Sequence, residues 1–71
     1  GFIGKLYKTH KLNEREVRIC LLIKIGILPK DMAKLTNYSR ESISSVRRRL
    51  YEKFFGEKGT PQQWDEFIDS L

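Results

Sequence analysis

The sequence predicts an all-α fold of four helices with a helix-turn-helix at its centre. Apolar residues recur at spacings of three and four through most of the chain, and no stretch alternates with period two as a strand would. Ser, Asn, Thr and Pro stand where helices would open, and Gly26 and Gly56 stand where two of them would close. A short second helix is followed within three or four residues by a longer, basic third one.

The first helix opens at Asn13, with Glu16 three residues on as in a capping box and with Leu12 and Val17 as a hydrophobic staple. Gly26 stops it. Between them Val17, Ile19, Cys20, Leu21, Leu22, Ile23 and Ile25 leave only Arg18 and Lys24 as polar gaps, so this helix is expected to be surrounded on nearly all sides.

The second helix opens with Pro29, whose missing N–H costs nothing in a first turn, and ends near Thr36. Met32, Ala33 and either Leu35 or Thr36 form its inner side. Asn37 and Tyr38 make the turn, with Asn37 expected to supply a left-handed residue.

Ser39 caps the third helix, Glu41 complements the dipole in its first turn, and the pattern runs to Gly56. Ile43, Val46, Leu50 and Phe54 form the seam. At 100° per residue, Glu41, Ser44, Ser45, Arg48 and Glu52 lie opposite it, with Arg49 on one flank. After a loop from Gly56 to Gly59, Thr60 as cap, Pro61 and Gln63 start the fourth helix, striped by Trp64, Phe67, Ile68 and Leu71.

A chain of 71 residues makes one domain, and a core of this size supplies only about 3–5 kcal/mol of net stability. Cys20 is the only cysteine, so no internal disulfide adds to it, and the thiol reads as a small buried hydrophobe in a reducing compartment. The longest apolar run, Ile19 to Ile23, is far short of the ~20 residues that span a bilayer, and no secretory signal is visible. The expected location is the cytoplasm, without membrane contact. Gly1 reads as a remnant foreign to a natural chain that continues upstream, residues 1–11 as a linker or the end of an upstream segment, and residues 12–71 as the domain.

The net charge of +5 is unevenly spread: residues 1–56 hold thirteen Lys and Arg against five acids, and residues 57–71 hold one lysine against four acids. A basic body implies a polyanionic partner. A major groove about 12 Å wide admits one helix whose outward residues near its start are short, as Ser44 and Ser45 are. Those two, with Arg48 and Glu41, are the candidates for reading base edges of double-stranded DNA. Lys30, Lys34, Ser39, Arg40, Arg47, Arg49 and Lys53 are the candidates for phosphate contacts. Arg47 projects nearer the seam than Arg48, so its stem could equally serve packing.

From Leu12 to Phe54 the chain resembles, without a gap, the C-terminal effector domain of LuxR-type and NarL-like regulators. The matching pieces are Leu12, Arg15-Glu16, Ile19-Cys20, Leu22-Ile23, Gly26, the run Lys30-Asp31-Met32-Ala33, Ser39, Ser42-Ile43, Leu50 and Lys53-Phe54. The resemblance implies a four-helix fold whose third helix reads DNA through Ser44, Ser45 and Arg48, a fourth helix that supports homodimerisation, and an upstream sensor domain. Its ending is similar to regulators of Bacteroidetes-type bacteria that carry the domain after tetratricopeptide repeats. Where the family generally has a basic residue, this chain has Ser44, and Val46 replaces a histidine or small apolar residue, so base preference does not carry over.

Two other readings fit parts of the chain. A sigma-factor region 4 uses a similar capped helix-turn-helix, though the acidic tail and aromatic fourth helix suit it poorly. A protein-interaction module would use the apolar surplus of the first helix, Phe55, and Trp64, Phe67, Ile68 and Leu71 on the fourth; the same stripe could instead close the core. Catalysis and metal binding are not expected, since His10 is the only histidine, no carboxylate accompanies it, and one His with one Cys cannot make a four-ligand site. No cofactor is implied.

Overall fold

The computed structural model describes Gly4 and residues 11–71. The segment read as a linker, His10 included, lies outside the described residues except for Gly4 and Lys11. The described residues form four helices and no strand: α1 (Glu14–Lys24), α2 (Pro29–Leu35), α3 (Arg40–Phe55) and α4 (Pro61–Asp69). None of the helices is long and apolar enough to cross a membrane.

Local chemistry sets most of the boundaries. At α1 the Asn13 Oδ1 accepts from the Glu16 N–H at 2.8 Å, while the Asn13 N–H donates to Glu16 Oε1 at 2.9 Å. The box satisfies two N–H groups that the first turn would otherwise leave orphaned. At the other end Gly26 takes φ +89°, its N–H donates to the Ile23 carbonyl, and the Ile27 N–H reaches back to Leu22. That pair of bonds is a Schellman closure, which needs the left-handed residue glycine supplies most readily. Thr60 and Gln63 repeat the capping box at α4, with Pro61 in the first turn. Gly56, at φ +73°, ends α3.

The turn between α2 and α3 differs from expectation. No residue other than glycine has positive φ among those described, so Asn37 is not left-handed. Thr36 makes the turn instead: it is extended, its hydroxyl donates to the Met32 carbonyl at 2.7 Å, and its Oγ1 accepts from the Tyr38 N–H at 3.2 Å. A threonine hydroxyl that both closes α2 and holds the next N–H removes the need for a left-handed step. This also settles the inner side of α2, because Thr36 is buried while Leu35 is 63% exposed.

The core gathers Leu12, Ile19, Cys20 and Ile23 with Met32, the Ile43, Val46 and Leu50 seam, and Trp64 and Ile68 of α4. Trp64 and Ile68 are fully buried. Phe54 meets the Trp64 ring edge-on at 5.0 Å and Phe67 packs beside both. A tryptophan buries some 150–250 Å², so a short helix carrying it closes the core of so small a domain. The expectation that Trp64 and Ile68 serve a partner is therefore corrected: they are interior, and only Phe67 and Leu71 of that set remain half-buried.

The expectation that α1 is enclosed is corrected as well. Ile19, Cys20 and Ile23 point inward, but Leu21 is 43% and Ile25 71% exposed. Among the described residues, α2, α3 and α4 all pack against α1, and they leave Leu21 and Ile25 uncovered.

Candidate nucleic-acid interface

The α2–turn–α3 unit positions the candidate site. Ser39 caps α3 by accepting from the Ser42 N–H at 3.1 Å, and the helix then runs sixteen residues without interruption. Ile43, Val46 and Leu50 are buried on the side of α3 that packs on α1, α2 and α4, and among the described residues the loop before α4 borders the opposite side through Lys58 and Gly59. On that side Glu41, Arg48 and Glu52 are exposed and Ser44 and Ser45 are half-buried.

Those residues line a shallow furrow along α3. Arg40, Glu41, Ser44, Ser45 and Arg48 border its first part, and Ser45, Arg48, Arg49 and Glu52 its second. Next to the first part, Pro29 and Lys30 of α2 approach Arg40 and Ser44. Arg48 reaches only Ser45 Oγ, at a long 3.4 Å, which leaves most of its five donors for another acceptor.

The proposed phosphate contacts divide. Lys30, Lys34, Arg40 and Arg49 are exposed and make no ion pair among the described residues. Lys53 is also exposed, with its Nζ donating to the Lys11 carbonyl at 3.1 Å. Ser39 is exposed but its oxygen already serves the cap. Lys34 stands in the last turn of α2, outside the furrow.

Arg47 is corrected outright. It is buried at 2% exposure, and its guanidinium grips the Asp65 carboxylate of α4 through Nε and Nη2. With its Nε–Nη2 edge on a carboxylate and its side chain only 3% exposed, the guanidinium is not presented at the surface where a phosphate would bind. The helical wheel placed Arg47 beside the seam, but its partner lies eighteen residues along the chain and becomes visible only when α4 docks.

One residue at the furrow was missed by sequence reasoning. Lys58, in the loop before α4, borders the furrow beside Arg48 and Glu52 together with Gly59. Its position follows from how the loop folds back: a Cβ on Gly59 would fall within 2.4 Å of the Tyr51 ring. The loop can lie against α3 there only because residue 59 has no side chain.

No three metal-binding side chains come together among the described residues. Burial pushes the Cys20 thiol up to about 12, offset in part by the indole N–H of Trp64, a donor that closes no full hydrogen bond, and reinforced by the Glu16 and Asp65 carboxylates. A thiol held neutral in the core is inert. No family model, curated protein or solved structure matches the chain.

Proposed function

We propose that this domain binds double-stranded DNA by laying α3 in the major groove, as the effector domain of a bacterial transcription regulator of the LuxR or NarL kind. The observation that carries the reading is the outward side of α3: an uninterrupted helix that presents Ser44, Ser45 and Arg48 along a furrow bordered by Arg40, with Lys30 beside it and neither cation in an ion pair among the described residues. Small residues near the start let the backbone approach base edges, and Arg48 one turn on can bind a guanine through two parallel donors. Glu41 can accept from a cytosine amino group. Serine both donates and accepts, so Ser44 and Ser45 contribute less discrimination than Arg48.

Lys30, Lys34, Arg40, Arg49 and Lys53 supply the phosphate contacts that dominate affinity. An upstream sensor domain, which the family resemblance implies, would join ahead of Leu12. Selection from a random duplex library at two salt concentrations tests the proposal. The expected result is an enriched sequence whose affinity falls steeply with salt, by about a thousandfold between 50 and 200 mM for roughly six phosphate contacts. Equal recovery of all sequences, or no retention at low salt, would refute it. A palindromic product would in addition reveal pairing of two domains, since half-site symmetry mirrors protein symmetry.

A further inference from the structure

We infer that Arg15 of α1, together with Arg49 and Lys53, forms a second phosphate-contacting row on the flank of α3 opposite Lys30 and Arg40. This rests on the DNA-binding reading above and adds to it a residue on an element outside the helix-turn-helix.

Arg15 sits in the first turn of α1, where the helix dipole favours anions and a cation is a local liability. Its side chain leaves α1 for the recognition unit. The guanidinium carbon stands 4.7 Å from the centre of the Tyr38 ring in the turn, and Nη1 approaches Ser42 Oγ of α3 at 3.4 Å. Stacking on a half-buried tyrosine holds the planar group in place while it stays exposed.

The charges around it are arranged to leave this row available. Glu14 is paired with Arg18 at 3.1 Å, and Glu16 is turned back to the Asn13 N–H. Arg15, Arg49 and Lys53 make no ion pair among the described residues. All three line one depression, together with Asn13, Glu14, Glu16 and Val46.

The placement on α3 supplies the geometry. At 100° per residue, Arg49 and Lys53 lie 40° apart on one flank, and Arg40 lies roughly opposite them. Lys30 stands beside Arg40 and Arg15 stands beside Arg49. A helix in a groove about 12 Å wide has a phosphate backbone along each side. Cations on both flanks meet both walls, and Tyr38 is the positioning residue that brings Arg15 to one of them.

The test is the salt dependence of binding to the selected duplex, read by fluorescence anisotropy on the whole domain, alongside a scrambled duplex and an acidic polyglutamate peptide. Arg15→Gln is expected to flatten the slope of log K against log salt by about one, on both duplexes alike. Arg15→Lys should keep the slope, Tyr38→Leu should weaken binding to both duplexes by less than Arg15→Gln, and Lys24→Gln, at the far end of α1, should change nothing. A wild-type slope in folded Arg15→Gln overturns the inference while leaving α3 as the reader. Loss of peptide binding with duplex binding intact would assign the row to an acidic protein partner and equally overturn it. Failure of the wild-type domain to bind any duplex overturns both proposals.

Discussion

Arg47 and Asp65 form a two-point clasp between α3 and α4, with Arg47 Nε donating to Asp65 Oδ1 at 2.9 Å and Nη2 donating to Oδ2. The arginine side chain is 3% exposed and the aspartate 23%, so the clasp is shut off from water at one end and touches it at the other. It fixes the angle at which α4 closes the core beneath the candidate reading helix.

Removing one partner leaves a buried charge alone, which typically costs about 3–5 kcal/mol. Asp65→Ala is therefore expected to consume most of the stability of a domain that has only about 3–5 kcal/mol to lose. Urea denaturation should show Asp65→Ala largely unfolded in buffer, and the double change Arg47→Met with Asp65→Leu markedly more stable than either single removal. Equal loss in the double variant would show that the clasp contributes more than relief of an unpaired charge.

Gly59 is expected to resist even the smallest side chain. A Cβ there would fall 2.3 Å from Tyr51 Cδ1 and 2.9 Å from the Gln63 Oε1 that completes the α4 capping box. Gly59→Ala should cost roughly 1–3 kcal/mol, as overpacking does. Adding Tyr51→Ala to Gly59→Ala should cost less than the two separate losses combined, because the crowded ring has gone. Strict additivity in thermal denaturation would place the strain elsewhere.

Cys20 predicts an alkaline limit to stability. Its thiol rises from an ordinary value of 9.0 to about 12 in the fold, so between those limits the folded state keeps a proton that the unfolded state has lost. The unfolded state binds fewer protons there, and stability falls as pH rises, by about 1.4 kcal/mol per unit at the steepest. Below pH 9 the contribution is fully present. Urea titrations from pH 8 to 11 should show a steeper decline for the wild type than for Cys20→Ala, and a thiol reagent at pH 8 should react only as fast as the domain opens.

Arg48→Ala should weaken binding to the selected duplex by roughly 1–3 kcal/mol and relax preference at one base pair, if its contact is bidentate. Arg47→Met paired with Asp65→Leu should leave affinity unchanged, since that guanidinium faces α4. Gel-shift titrations that ranked the two arginines the other way would invert the assignment of the furrow.

The features legible in the sequence were those decided within a few residues. Asn13 with Glu16, Ser39, Thr60 with Gln63, and the glycine stops act over one helical turn, and the boundaries they set are the observed ones. The inward seam of α3 followed from spacing alone, and so did the outward position of Ser44, Ser45 and Arg48. What escaped was decided by neighbours remote in sequence. Arg47 turns inward because Asp65 waits there, Lys58 reaches the furrow because Gly59 lets the loop lie against Tyr51, and Arg15 crosses to Tyr38 from another helix. Asn37 was misjudged for a different reason, since the hydroxyl of Thr36 solved the turn by hydrogen bonding instead of by backbone handedness.

The capping boxes that open α1 and α4, and the hydroxyl caps at Ser39 and Thr36, carry a kinetic consequence. Each helix can nucleate from signals held within its own few residues, and connections this short let adjacent segments meet with little loss of chain entropy. A topology so rich in local contacts belongs with chains that reach the native state in microseconds to milliseconds. A newly made copy would therefore pass through the vulnerable, uncollapsed stage quickly, despite the thin reserve of stability that so small an interior provides.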